Sequence, residues 1–110
     1  MGTQQSSTYR ILQTMNKEIE NLLAEAALLE KEGDLQAALI KYGEIVETDQ
    51  KNIEVQFKIG ELYHQLGDLP KALSAYIRTT DLDAEHQKAK VKIEMIRSIM
   101  NFYNKDMYNP

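Results

Sequence analysis

The sequence predicts an all-α chain built from repeated helix pairs, and three observations carry that expectation. A ten-residue phrase occurs twice in nearly the same form, GDLQAALIKY at 33–42 and GDLPKALSAY at 67–76, at a separation of 34 residues. Apolar residues recur at three- and four-residue intervals on both sides of each phrase, the spacing of one helix face. The chain of 110 residues holds only two prolines and five glycines, so little interrupts such helices.

Taken in order, the first helix carries Leu12, Met15, Ile19, Leu22, Ala26 and Leu29 at 3-4-3-4-3 spacing. It is expected to begin near Ser7 or Thr8 and to end near Glu32. Gly33 then supplies the left-handed backbone that stops a helix, and Asp34 supplies an oxygen to cap the next. The second helix is expected over 35–48, with Leu35, Ala38, Leu39, Tyr42, Ile45 and Val46 on its apolar face. Asn52 caps a third over 53–66, and Gly67-Asp68 repeats the stop-and-cap. The fourth helix, over 69–80, has Pro70 in its first turn, where no backbone N–H is missed. Asp83 is read as the cap of a last helix over 84–103.

Bulk properties exclude several function classes. Hydrophobic residues are 43% and charged residues 27% of the chain, ordinary for a soluble domain rather than a disordered one. A net charge of −4, with Lys and Arg interleaved among Asp and Glu, argues against nucleic acid, which calls for a concentrated basic face. No cysteine is present, which removes disulfides, thiolate catalysis and Cys-based zinc sites and fits a cytoplasmic protein. No run approaches the roughly 20 apolar residues of a membrane span. The opening MGTQQS satisfies the loose myristoylation pattern through Gly2 and Ser6, but a plain flexible tail is the simpler reading.

Overlaying 19–52 on 53–86 pairs Ile19 with Ile53, Leu29 with Tyr63, Ala38 with Ala72 and Tyr42 with Tyr76. A 34-residue helix–turn–helix period, with a small residue four positions before an aromatic one, resembles the tetratricopeptide repeat (TPR) family over about residues 19–103. The resemblance implies a right-handed helix–turn–helix solenoid of two repeats, with a long N-terminal helix and a C-terminal capping helix. It implies that Ala26 and Gly60 lie where paired helices cross closely, and that Tyr42 and Tyr76 fill the space between units. Departures exist: Gln50 and Ala84 stand where the family ends a repeat with proline, and Gln56 takes a usually apolar position. The expected organisation is a flexible tail over 1–7, a helical domain over 8–103 with repeats at 19–52 and 53–86 and a terminal helix at 84–103, and a C-terminal tail over 104–110.

The last helix is apolar on two faces. Ala89, Ile93, Ile96, Met100 and Tyr103 are expected to pack inward, leaving Val91, Met95, Ile99 and Phe102 without a partner. Two repeats fall short of the three that usually bury a continuous core. Something is therefore expected to cover this face: a second copy of the chain, its own 104–110 tail or a foreign peptide. Leu12, Met15, Ile99, Phe102 and Tyr103 are the residues for self-association into a homodimer.

Catalysis finds little support. His64 and His86 are the only histidines and lie in different elements. Asp81, Asp83 and Glu85 alternate as in a calcium loop, but His86 stands where the sharp-turn glycine is required. Glu18/Glu20 and Glu30/Glu32 read as solvated faces. No catalytic residue, metal or cofactor is expected. The resemblance instead implies a concave face that binds a protein or peptide segment, formed here by Leu23, Ala27, Glu30, Phe57, Lys58, Glu61, His64, Lys88, Val91, Lys92 and Met95. Some family members grip a terminal carboxylate there. Lys88 and Lys92 match two of those positions, but Lys58, Leu23 and Ala27 depart from the others. The expected ligand is an amphipathic or aromatic-bearing segment with some negative charge.

Overall fold

The structure, a computed structural model, describes the backbone of residues 3–108 and the side chains of residues 7–103. Five helices form among the described residues, with no strand: α1 (Thr3–Lys31), α2 (Leu35–Thr48), α3 (Ile53–Gln65), α4 (Leu69–Leu82) and α5 (Gln87–Tyr108). The chain is all-α. It divides into two compact units, one ending at Thr48 and the other beginning at Asp49. In the first, α1 packs on α2; in the second, α4 packs on both α3 and α5.

The repeated phrase builds the same turn twice. Gly33 and Gly67 have φ of 86° and 81°, a region that a side chain disfavours. Gly33 N–H donates to the Glu30 carbonyl and Asp34 N–H to that of Leu29, both at 2.9 Å. In the second unit Gly67 donates to His64 at 3.0 Å and Asp68 to Tyr63 at 2.9 Å. These paired bonds satisfy carbonyls that a helix end leaves open. Each aspartate then caps the next helix, Asp34 accepting the Ala37 N–H at 3.1 Å and Asp68 the Lys71 N–H at 3.2 Å. Asn52 caps α3 by accepting the Val55 N–H at 3.1 Å.

The boundary before α5 differs from expectation. Asp83 closes α4 instead of capping α5, and its carboxylate accepts the Glu85 N–H at 3.1 Å. The residue that caps α5 is His86, whose Nδ1 accepts the Ala89 N–H at 3.1 Å. The helix therefore starts at Gln87 rather than near 84.

Both ends also run further than expected. Helix α1 begins at Thr3, so 3–7 are helical rather than a tail, and α5 continues through 104–108. Asn104 is only mildly unfavourable inside a helix, so it does not stop one. The side chains of the 104–110 tail, one of the expected covers for the last helix, and the candidate lipid acceptor Gly2 lie outside the described residues.

The core of the second unit is a cluster of Ala72 and Tyr76 from α4 with Ile93 and Ile96 from α5, flanked by Phe57, Tyr63, Leu73 and Met100. Tyr76 reaches this position because Gly60 has no side chain: a Cβ there would lie 2.6 Å and 2.7 Å from the Tyr76 ring. Tyr76 therefore lies between the second helix pair and the last helix. Tyr42 serves its own helix pair, donating its hydroxyl to Glu30 Oε2 at 2.6 Å. Glu30, read as part of a solvated face, is half-buried and holds this phenol.

The two repeat-related tyrosines thus differ in satisfaction. The buried Tyr76 hydroxyl has no hydrogen-bond partner, whereas that of Tyr42 does. Tyr76→Phe should leave urea stability unchanged or raise it by about 1 kcal/mol, while Tyr42→Phe should lower it by about 1 kcal/mol. Burial, then the charge of Glu61, pushes the Tyr76 phenol up to about 12. Burial, then the hydrogen bond to Glu30 and its charge, raises Tyr42 as well. Both folded phenols favour the neutral form, so their contribution is complete below about pH 10 and is lost as pH rises further. An alkaline unfolding limb that Tyr76→Phe flattens is the expected observation.

Candidate functional site

The second unit carries an open groove of about 430 Å³ lined by Phe57 and Glu61 of α3 and by Gln87, Lys88, Val91 and Lys92 of α5. Phe57 and Glu61 lie four residues apart, as do Lys88 and Lys92, so each helix turns one face towards the groove. Phe57 is half-buried, its ring 5.4 Å from Tyr76 and 4.8 Å from His86 between centroids. It is a wall set by packing rather than a free side chain. Val91, in contrast, is 60% exposed and free to meet a ligand.

The charges are arranged unevenly. Glu61 Oε1 lies 3.6 Å from Lys58 Nζ, an ion pair, so the one carboxylate lining the groove already has a cation beside it. Among the described residues neither Lys88 nor Lys92 meets a carboxylate. An apolar wall with two ammonium groups along one edge can attract a segment that offers both an apolar side chain and a negative charge.

Five of the residues expected on a binding face are brought together here: Phe57, Glu61, Lys88, Val91 and Lys92. Others lie elsewhere. Lys58 stands behind Glu61 as its ion-pair partner. His64 is half-buried, outside the lining, and its carbonyl closes the α3–α4 turn. Met95, one turn beyond Val91, is 41% exposed but does not line the groove. Leu23 and Ala27 are exposed on α1 in the first unit. Gln87 was missed; its position directly after the cap is the signal that could have found it, once His86 is recognised as that cap.

The residues read for self-association fall in both units. Leu12 and Met15 are exposed on α1, and Ile99 is half-buried on α5. Phe102 and Tyr103 are 76% and 74% exposed, stacked edge to face at 5.4 Å. Tyr103 does not join the inward stripe of α5, because the core ends at Met100.

Among the described residues, no group of three His, Asp or Glu side chains could hold a metal ion. No helix of the described residues is long and apolar enough to cross a membrane. No protein-family model matches the chain, and no curated protein matches it.

Proposed function

We propose that this chain is a TPR-type protein-interaction module, without catalytic activity, that holds a partner segment against its second helix unit. The observation that carries the reading is the groove in which Phe57 and Val91 stand beside Lys88 and Lys92, two cations with no carboxylate of their own among the described residues. The twice-built Gly-Asp turn supports the repeat assignment, and with it the solenoid. The partner is a peptide or helix with an apolar or aromatic anchor and an acidic neighbour.

Selection from a random peptide library at low salt tests this. Enriched peptides should pair an acidic residue with an apolar one, and binding should weaken as salt rises. Val91→Glu and the double change Lys88→Glu, Lys92→Glu should each reduce affinity at least about tenfold, a loss of roughly 1.4 kcal/mol, with the fold intact. Equal binding by both variants would reject the groove as the site.

The alternative is self-association, in which exposed apolar faces pair between copies. The exposure of Phe102 and Tyr103 favours it. A tight dimer in light scattering that Ile99→Glu dissociates would support this reading over a free groove.

A further inference from the structure

The α5 wall of the groove begins at a helix cap whose chemistry depends on one proton. His86 Nδ1 accepts the Ala89 N–H at 3.1 Å, and the His86 carbonyl accepts the Lys90 N–H at 3.1 Å. Its ring lies 4.8 Å from that of Phe57. The next two residues, Gln87 and Lys88, line the groove together with Phe57. One imidazole thus joins the first turn of α5 to the opposite wall.

Accepting an N–H at Nδ1 requires the lone pair there, and the form of imidazole that has it is the neutral one with its proton on Nε2. A second proton would occupy Nδ1 and set a donor against a donor. It would also place a positive charge at the N-terminal end of α5, the positive end of its dipole. The charged neighbours set the balance. On α5, Lys88, Lys90 and Lys92 oppose a new cation. In the preceding turn Asp83 and Glu85 favour it, although Asp83 already accepts the Glu85 N–H. On α3, Glu54 and Glu61 lie within about one turn of Phe57, with Lys58 paired to Glu61. On α4, Asp81 lies in the last turn and Tyr76 contributes a neutral phenol 5.4 Å from Phe57 between ring centroids.

We propose that His86 is a pH-sensitive latch: neutral, it caps α5 and fixes the groove wall; protonated, it releases the first turn of α5 and loosens that wall. Its link to ligand binding rests on the groove being the binding site, but the latch itself does not. The neutral form is the one the fold uses, so the contribution of the cap is present while Nδ1 keeps its lone pair and is lost when that nitrogen takes a proton.

The test uses the full chain without ligand. Amide-exchange protection at Ala89 and Lys90, corrected for the intrinsic pH dependence of exchange, is compared at about pH 7.5 and 5.5. Protection at Ala89 should fall roughly 5- to 10-fold on acidification, in step with the His86 ring resonances and with shifts at Gln87, Lys88 and Val91. His86→Asn, a cap that does not titrate, should keep its protection across that range. Should His86→Asn fold poorly, His64→Asn leaves His86 as the only histidine, and the same drop must then persist. Unchanged Ala89 protection in the native chain, or an equal drop in a folded His86→Asn protein, overturns the latch. A chain that shows the drop but selects no peptide keeps the latch and loses the groove as a binding site. Peptide binding that weakens at low pH with Ala89 still protected leaves the groove and removes the latch.

Discussion

Gly60→Ala should destabilise the protein by about 3 kcal/mol, the largest effect of a single added methyl group. The new Cβ would lie 2.6 Å from the edge of the Tyr76 ring, well inside contact distance. Tyr76 is fully buried among Ala72, Ile93 and Ile96, so the ring can move only by displacing α5 or the core. Overpacking of this kind typically costs 1–3 kcal/mol, and here it acts on the ring at the centre of the cluster. Gly43→Ala provides the contrast. It also lies within a helix, but an added Cβ meets nothing within 4 Å. That change should stabilise by about 0.5–1 kcal/mol through helix propensity alone. Urea midpoints that move in opposite directions for the two substitutions check both statements. A neutral Gly60→Ala would show that α3 and α4 do not approach so closely.

The second large effect concerns neighbouring positions on α5. Ile96 is fully buried in the core cluster, whereas Met95 is 41% exposed. Ile96→Asp removes about 1.5–3 kcal/mol of apolar burial and adds the desolvation of an unpaired carboxylate. The sum should exceed about 4 kcal/mol, comparable with the lower end of a domain's whole stability. Loss of helical circular dichroism at room temperature is the expected reading. Met95→Asp should keep the helical signal, with a midpoint within about 1 kcal/mol of the native one. If the two variants behave alike, α5 does not present the face assigned to it.

How far the sequence could be read depended on what kind of signal each feature leaves. Gly33 and Gly67 were legible because a left-handed helix stop strongly favours glycine, and Asp34, Asp68 and Asn52 because caps draw on a short set of residue types. Helices α2 and α3 fall within a residue of their expected bounds, since punctuation stands at both ends. The start of α5 was misread for the same reason: Asp83 belongs to the usual cap set and histidine does not, yet the imidazole took the role. The outer ends of α1 and α5 carry no such stop signal, so helix simply continues. Phe57, Glu61, Lys88, Val91 and Lys92, which the family resemblance implied by register, line one groove. The pairing of Glu30 with Tyr42 could not, because it joins residues on two helices through one side-chain angle.

The three principal helix pairings, α1 with α2, α3 with α4 and α4 with α5, all join neighbours along the chain through turns of a few residues. Native contacts of this kind close only short loops, so little chain entropy is lost before each contact forms. Proteins dominated by local contacts fold on microsecond to millisecond timescales. Helix pairs can therefore assemble close to where they emerge in the chain.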